Sequence, residues 1–301
     1  MDVVISGSSG LIGSRLGPAL ARAGHRPIRL VRRKPKPGAD EIEWLPDGGH
    51  IDAASLEGVD AVVHLAGAGI GDKRWNDSYK RLLVTSRTEP TALLAKTLAS
   101  LSKPPSVLLS GSAIGYYGDR DDEVLSESSE SGSGFLPELV RQWEAATEPA
   151  AAAGIRTTHL RTGIVLSATG GALGKMLPLF RFGLGGRFAS GRQYMSWITV
   201  DDEVAAIEFL LGSDVAGPVN LTSPNPVTNA TFTDTLGSVL GRPTVLPVPA
   251  FGPKLVLGAD MAQALLFDSQ RVHPDALTEA GYGFHHAELV DGLRAVLAED
   301  G

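Results

Sequence analysis

The stretch VISGSSGLIGSRL, residues 3–15, decides the fold of this chain, because glycines separate an apolar run from a helical pattern. Residues 3–5 are typical of a short buried strand. Apolar residues then recur at helical spacing, at Leu11, Ile12, Leu16 and Leu20. A strand, a glycine turn and a helix in this order predict the start of a β-α-β unit.

Three glycines at the predicted junction, Gly7, Gly10 and Gly13, give the pattern G-x-x-G-x-x-G. The first permits a tight turn, the second lets the backbone approach a pyrophosphate, and the third lets the helix pack closely on the strand. Free N–H groups and the helix dipole then face an anion. We interpret the turn as a phosphate cradle; the alternative is a glycine-rich turn that binds nothing.

Composition narrows the class of protein. The chain has 301 residues, 43% of them hydrophobic, which is enough for one large domain or two interleaved ones. A formal net charge of −7 and a pI near 5.5 argue against a nucleic-acid partner, which requires a basic surface. The absence of cysteine excludes disulfides and thiol catalysis.

The sequence shows no recognisable secretory leader and no apolar run long enough for a membrane helix. We therefore expect a cytoplasmic protein without a membrane partner. The seven histidines are scattered apart from His285 and His286. Adjacent residues point in different directions, so we expect no metal site.

Strand-like runs alternate with helical patterns in the first half of the chain. The strand-like runs cover residues 3–6, 27–31, 61–66, 106–110 and 157–160, and the helical patterns include residues 11–23 and 88–101. This alternation predicts an α/β fold with a doubly wound parallel sheet covered on both faces. After about residue 166 the sequence is rich in Gly and Pro, which predicts a smaller lobe around a cleft.

The end of the second predicted strand indicates which dinucleotide fits. An NAD site has an Asp or Glu there for the ribose hydroxyls, whereas a 2′-phosphate requires cations. Here the strand ends in Arg32, Arg33 and Lys34, with no carboxylate at that point. Guanidinium groups suit phosphate oxygens, so the run favours NADP. The alternative is a solvated basic loop.

Motifs along nearly the whole chain resemble those of the atypical extended short-chain dehydrogenase/reductases. They include SGSSGLIG (6–13), HLAGAGI (64–70), SGSAIGYYGD (110–119), WEAA (143–146), LRTGIVLS (160–167) and SWITVDD (196–202). Within that superfamily the chain is similar to the group of epimerase family proteins, or nucleoside-diphosphate sugar epimerase-like proteins. The stretch from residue 246 to residue 284 resembles that group's own C-terminal domain.

The resemblance implies a Rossmann-type NADP-binding domain over residues 1–165, to which 200–222 return, and a C-terminal substrate lobe over 166–199 and 223–301. It also implies a set of cofactor contacts. These are Gly7, Ser9, Gly10, Leu11 and Ile12 at the pyrophosphate turn, Arg32 and Arg33 at the 2′-phosphate, Leu65, Ala66 and Gly67 on the adenosine side, and Arg87, Ser110 and Arg161 as further candidates. For Arg87 and Arg161 the alternative is an ordinary surface or helix-end charge.

The usual Tyr-x-x-x-Lys pair of the superfamily is missing, because Phe135 and Leu139 occupy the expected places. The resemblance matches Ser112 to the active-site hydroxyl, and Tyr116 and Tyr117 are candidate proton donors. Adjacent aromatics are also typical of packing residues. Glu144 is a possible carboxylate, although a surface or capping charge is the simpler interpretation. Four polar residues of the second lobe could bind an anionic substrate, or could equally be solvated: Lys175, Arg181, Arg192 and Gln193.

Two functions remain open at this point. The first is an NADP-dependent oxidoreductase or epimerase acting on a small polar substrate, such as a nucleotide sugar. The second is a module that holds NADP(H) for stability or signalling, with little or no turnover. The predicted cofactor site supports both, and a proton donor beside the bound nicotinamide would distinguish them.

Overall fold

A computed structural model describes residues 1–298 as a three-layer α/β structure with additional short sheets. The strands are β1 (Asp2–Ser6), β2 (Arg26–Val31), β3 (Glu41–Leu45), β4 (His50–Ile51), β5 (Ala61–His64), β6 (Val107–Ala113), β7 (Val124–Leu125), β8 (Arg156–Thr162), β9 (Ile164–Leu166), β10 (Tyr194–Met195), β11 (Trp197–Thr199), β12 (Gly217–Leu221), β13 (Val227–Thr228) and β14 (Arg271–Val272).

The helices cover both faces of the main sheet and build much of the C-terminal region. They are α1 (Gly13–Arg22), α2 (Asp77–Ser100), α3 (Phe135–Ala145), α4 (Glu148–Ala152), α5 (Gly171–Arg181), α6 (Val200–Leu211), α7 (Asn229–Leu240), α8 (Phe251–Leu257), α9 (Ala259–Ala262), α10 (Asp275–Glu279) and α11 (Leu289–Ala298). A 3-10 turn, Ile114–Tyr117, follows β6, and a π-helical turn, Gln263–Phe267, follows α9.

The main sheet has eight strands in the order β12-β8-β6-β5-β1-β2-β3-β4. All neighbours pair in parallel except β3 and β4, which are antiparallel. The chain moves outward from β1 to β2 on one side and returns to β5 on the other. The strand order therefore reverses between β1 and β5, which is where ligands bind in open α/β sheets.

Alternation along the strands fills a core on each side of the sheet. Val3 and Ile5 face a layer that includes Leu16 of α1 and Ile207 of α6. Val4 faces the opposite layer, which contains the buried residues of α2 and α4: Leu94, Ala95, Leu98 and Ala150. This two-sided cover confirms the predicted α/β fold with a doubly wound parallel sheet.

The C-terminal region has its own apolar cluster. It contains Trp197 and Phe232 with residues of α5 and α11, namely Leu173, Leu177, Phe180, Leu289, Leu293 and Val296. Residues 217–221 leave this region and pair with β8 as the last strand of the main sheet. The division into two domains remains a prediction, and residues 299–301 of the predicted lobe lie outside the described residues.

Each predicted strand run overlaps an observed parallel strand, although residues 65, 66 and 106 lie outside the strands, and two features were not predicted. Strand β3 was not recognised. Helix α2 begins at Asp77 rather than near residue 88, because the Asn76 side chain accepts a hydrogen bond from Tyr79 N and caps the helix there. The added turns bring Tyr79 and Leu83 against α3.

Candidate functional site

The glycine turn lies at the carboxyl end of β1, where the strand order reverses. Gly7 has φ +69°, and a Cβ there would approach the Leu65 carbonyl carbon to 2.7 Å. A Cβ on Gly13 would lie 2.3 Å from Gly7 O, so α1 packs directly on the turn. Gly10 is exposed, and a Cβ there would have one neighbour within 4 Å among the described residues, Gly7 O at 3.3 Å. Each glycine therefore has the geometry that its place in the pattern predicts.

The start of α1 has unused hydrogen-bond donors. The amides of Leu11 and Ile12 donate to no atom of the described chain, while Gly10 N closes the turn onto Gly7 O at 2.9 Å. No side chain of residues 1–298 caps the helix, and its first turn holds no acidic residue. Free N–H groups and an uncompensated helix dipole form an anion site, and a side chain on Gly10 would fill the space in front of it.

A buried polar chain holds the turn against the loop after β5. Thr91 Oγ1 donates to Arg87 O, so it accepts from His64 Nε2 at 3.0 Å. His64 Nδ1 is then an acceptor for Ser6 Oγ at 2.6 Å, and Ser6 Oγ in turn accepts the amides of Leu65 and Ala66. Burial lowers the pKa of His64 to about 4, which keeps the ring neutral. This series of hydrogen bonds orders the loop after β5, where an adenosine is expected.

Arg87 extends from α2 to the same loop and has no carboxylate partner in the described chain. Its guanidinium donates to the carbonyls of Leu83 and Ala68, at 3.1 and 2.9 Å, and lies 5.1 Å from the Trp143 ring centroid. Burial lowers the pKa of Arg87 to about 10. Its side chain lies beside Gly67, within 3.3 Å of where a Cβ would be. A largely desolvated cation without a counter-ion can bind an anionic ligand.

The cations after β2 are not equivalent, which corrects the interpretation that no carboxylate stands at this point. Arg33 is held by Glu41, with two N–H···O bonds of 2.8 Å, and Arg29 donates to the same carboxylate. The hydrogen bonds from Arg33 lower the pKa of Glu41 to about 2. Arg32 is exposed and forms no hydrogen bond or ion pair with the described chain. Of the two arginines, it is Arg32 that is free for a phosphate.

Ser112, at the end of β6, belongs to a buried charged network. Its hydroxyl donates to Glu144 Oε1 at 2.6 Å, and Arg161 Nε and Nη2 donate to the two Glu144 oxygens at 2.8 and 3.0 Å. Burial alone would raise the pKa of Glu144, but the bonds and charge of Arg161, with the bond from Ser112, lower it below its usual range. Glu144 is therefore an anion fixed behind Ser112.

This network corrects two expectations. Arg161 is 3% exposed, and three of its N–H groups are used by Glu144 and Tyr117, so it is not the surface or helix-end charge of the alternative interpretation; its cofactor contact stays a prediction. Glu144 is not a surface charge, since its side chain is only 11% exposed. Ser110 is also buried, with a weak bond from its hydroxyl to Gly111 O, and supports the strand end.

The two tyrosines of the turn after β6 differ completely. Tyr117 is fully buried; its hydroxyl donates to Asn220 Oδ1 at 2.7 Å and accepts from Arg161. Burial raises the pKa of Tyr117 to about 12, and Asn220 and Arg161 engage its hydroxyl, so these contacts do not favour Tyr117 and its catalytic role stays a prediction. Tyr116 is half-buried, its hydroxyl bonds to no atom of the described chain, and Arg161 Cζ lies 3.5 Å from its ring centroid. Tyr116 remains a candidate.

Helix α3 presents apolar residues where the resemblance placed an acid/base pair. Phe135 packs edge-on against Trp75, with the ring centroids 5.2 Å apart. Leu139 is 2% exposed in a cluster with Tyr79 and Leu83. Lys80 Nζ lies 5.3 Å from the Phe135 ring centroid but pairs with Asp260 at 2.6 Å. Lys80, the cation of α2 that lies beside Phe135, is therefore already paired with a carboxylate.

The four residues of the second lobe that were expected to bind an anionic substrate do not share one set of contacts. Lys175 Nζ donates to Gly71 O at 2.9 Å, which joins α5 to the loop after β5, while Gln193 is buried and bonds to Leu266 O. Arg181 and Arg192 are exposed. Among residues 1–298, no group of three or more His, Cys, Asp or Glu side chains is arranged for a metal ion, and no helix is long and apolar enough to span a membrane.

A large open depression, about 1120 Å³, lies away from these residues. It is lined by Met1, His25, Phe209 and Tyr282 among others, and so lies at the amino ends of β1 and β2. Ligands of open α/β sheets bind at the opposite edge. We therefore assign the candidate site to the carboxyl edge, between the glycine turn and Ser112.

Comparisons with known proteins show the family of the chain. Residues 3–221 match the NAD dependent epimerase/dehydratase family, and residues 248–296 match a domain of unknown function, DUF1731. An epimerase family protein of Mycobacterium bovis is 45% identical over 97% of this chain and 96% of its own.

Two solved structures are also similar. Human epimerase family protein SDR39U1, crystallised with NADPH, matches with a TM-score of 0.90 and 34% identity over 99% of both chains. A nucleoside-diphosphate sugar epimerase from Corynebacterium glutamicum matches with a TM-score of 0.80 and 36% identity, over 99% of this chain and 58% of its own. The chain thus belongs to the NAD dependent epimerase/dehydratase family, among the epimerase family proteins that carry the DUF1731 domain.

Proposed function

We propose that this protein binds NADP at the carboxyl edge of its sheet and is an oxidoreductase or epimerase acting on a small polar substrate, such as a nucleotide sugar. One observation carries the proposal: the uncapped start of α1, with the free amides of Leu11 and Ile12, faces the open space at Gly10. The NADPH in the human relative supports the choice of nucleotide.

The residues fit the cofactor as follows. Gly7, Ser9, Gly10, Leu11 and Ile12 would hold the pyrophosphate, since their backbone can approach it without a side chain at Gly10. The loop Leu65, Ala66 and Gly67 would take the adenosine side, with Arg87 behind it. Arg32 would bind the 2′-phosphate, while Arg33 stays with Glu41. Bound NADP supplies a hydride acceptor or donor.

The two hydroxyl groups near the site differ in whether they can donate or accept a hydrogen bond. The Ser112 proton is used in the bond to Glu144, so toward the cleft Ser112 offers only lone pairs and accepts a substrate O–H or N–H. The free Tyr116 hydroxyl is able to donate. With Phe135 and Leu139 in place of Tyr and Lys, Tyr116 would be the proton donor, and Ser112 would hold the substrate by accepting its hydrogen bond.

Calorimetric titration with NADPH and NADH tests the cofactor. We expect NADPH to bind at least about tenfold more tightly, because only it offers a phosphate to Arg32. Oxidation of NADPH with a panel of carbonyl compounds and nucleotide sugars then tests turnover. Tight NADPH binding with complete inertness across the panel would assign the protein to the binding-module class, and no binding of either nucleotide would refute the proposal.

A further inference from the structure

Eight large apolar side chains of the C-terminal region are exposed. Their exposed fractions run from 55% for Leu179 to 83% for Val245, and the set, which we call the apolar surface, is Leu179, Phe182, Leu184, Val245, Leu246, Phe251, Leu255 and Val256. Other exposed large apolar residues of the described chain stand singly on separate elements: Met1, Leu45, Leu82 and Val124. Soluble monomers rarely expose so many apolar side chains together.

The apolar surface is built from three neighbouring segments. The turn after α5 runs beside the loop before α8, since Val248 N donates to Arg187 O at 2.8 Å and Ala189 N donates to Val248 O at 3.0 Å. Helix α8 joins them through Lys254, whose Nζ lies 5.5 Å from the Phe267 ring centroid. Phe267 packs edge-on against Phe188, at 6.3 Å between centroids.

The charge on these segments has the opposite sign to that of the chain. Residues 171–195 and 235–259 contain six Lys and Arg and no Asp or Glu, in a chain with a formal net charge of −7; Asp234 and Asp260 border the second range, and Asp260 is paired with Lys80. The six are Lys175, Arg181, Arg187, Arg192, Arg242 and Lys254. Basic residues thus flank the apolar side chains on every segment of the surface.

This combination selects one occupant. A second copy docked by two-fold symmetry would bring the basic segments of both copies together, which is repulsive. The apolar side chains protrude from a turn, a loop and a seven-residue helix, so each would need its own pocket on a protein partner. A fluid interface accepts them without preformed pockets, and its anionic head groups complement the cations. We propose that the apolar surface is a peripheral binding site for anionic phospholipid membranes.

The proposal is independent of the cofactor site and needs no spanning helix. It replaces the expectation, drawn from the sequence, that no membrane takes part. With the apolar surface against the membrane, four apolar side chains would enter the head-group region: Phe182, Leu184, Phe251 and Leu255. Arg187 and Arg242 would lie at the phosphates. The exposed apolar side chains would then leave water when the protein binds.

Co-sedimentation of the full chain with vesicles tests the proposal. We expect binding to mixed phosphatidylcholine and phosphatidylserine vesicles, little binding to pure phosphatidylcholine, and loss of binding at high salt. The variant Phe182→Ser with Leu255→Ser should lose binding. The variant Arg187→Gln with Arg242→Gln should weaken it about thirtyfold. The control, Leu82→Ser with Val124→Ser, removes exposed apolar side chains elsewhere and should bind like the wild type.

Three results would overturn the proposal. If the wild-type protein binds neither kind of vesicle, it has no such membrane site. If it also binds soluble polyglutamate tightly, the surface belongs to an acidic protein instead. A concentration-dependent dimer in light scattering that disappears in the Phe182→Ser, Leu255→Ser variant would assign the surface to a second copy of the chain.

Discussion

Ser112 and Glu144 share a hydrogen bond of 2.6 Å in which the serine at the end of β6 donates to the carboxylate on α3. The same carboxylate neutralises Arg161, which is almost completely buried. The bond therefore links a candidate catalytic hydroxyl to an ion pair that the fold itself requires, since an unpaired charge at this depth is very costly.

Replacement of Glu144 by Gln should destabilise the protein strongly, because it leaves the Arg161 guanidinium buried without an anion. Breaking one side of a buried ion pair typically costs about 3–5 kcal/mol. Urea unfolding measures the loss. Glu138→Gln is the matched control on the same helix: its carboxylate is half-exposed and bonds to Arg141 and Gln142, so a change within about 1 kcal/mol is expected. Similar losses in both variants would refute the distinction.

Gly10→Val should eliminate NADPH binding and leave the fold intact. A Cβ at Gly10 meets only Gly7 O, at 3.3 Å, so the branched side chain would project into the space in front of the free amides. Gly17→Val, at a helical position where a Cβ has no neighbour within 4 Å, is the control for a bulky residue on α1. Calorimetric titration of both folded variants decides; wild-type affinity in Gly10→Val would show that the turn does not hold the pyrophosphate.

Replacing Arg32 and replacing Arg33 should have different effects, the first on NADPH affinity and the second on stability. Arg32→Ala removes the unpaired cation and should weaken NADPH at least about tenfold while NADH changes little, because a charge-assisted contact contributes about 1.5–3 kcal/mol. Arg33→Ala should instead lower the free energy of unfolding, since the Glu41 side chain is inaccessible to solvent and would keep only Arg29 and the Lys36 amide as described partners. Nucleotide titration and urea unfolding measure the two effects. A larger loss of NADPH selectivity in Arg33→Ala would reverse this assignment.

The local features of the fold could be predicted from the sequence because they depend on near neighbours. Gly7, Gly10 and Gly13 act within one turn, and the apolar runs report their own burial. Glu41 could not be assigned to Arg33 in this way, since the two meet only because β3 pairs with β2. Ser112 and Glu144 are likewise 32 positions apart in the sequence.

The active-site chemistry was harder to predict for the same reason. Tyr116 and Tyr117 are equivalent in sequence, and only the packing of Asn220 and Arg161 decides which one is buried. The structure also changes the outlook for restoring the usual pair. A lysine at Leu139 would place its charge among Tyr79 and Leu83, so the change would destabilise the helix contact before it supplied any chemistry.

Glu203 should give the protein a pH-dependent stability. The side chain is fully buried on α6; Oε1 accepts from Thr162 Oγ1 at 2.8 Å and Oε2 has no partner in the described chain. Burial raises the pKa of Glu203 to about 8, from an ordinary value of 4.5. The folded state therefore keeps a proton that the unfolded state releases between these values. This contribution to stability is complete below pH 4.5 and is lost as the pH rises toward 8, by about 1.4 kcal/mol per pH unit.

Glu203→Gln and Glu203→Met, which are neutral at every pH, should both lack this contribution. The difference in free energy of unfolding between each variant and the wild type should therefore shift by several kcal/mol in favour of the variants from pH 5 to pH 8. Urea unfolding at half-unit pH steps measures the slope. The two variants differ in polarity, so a shared slope change would be due to the lost proton rather than to the Thr162 bond. Parallel profiles for wild type and variants would mean that Glu203 is ionised in the folded protein, with a cation or water at Oε2.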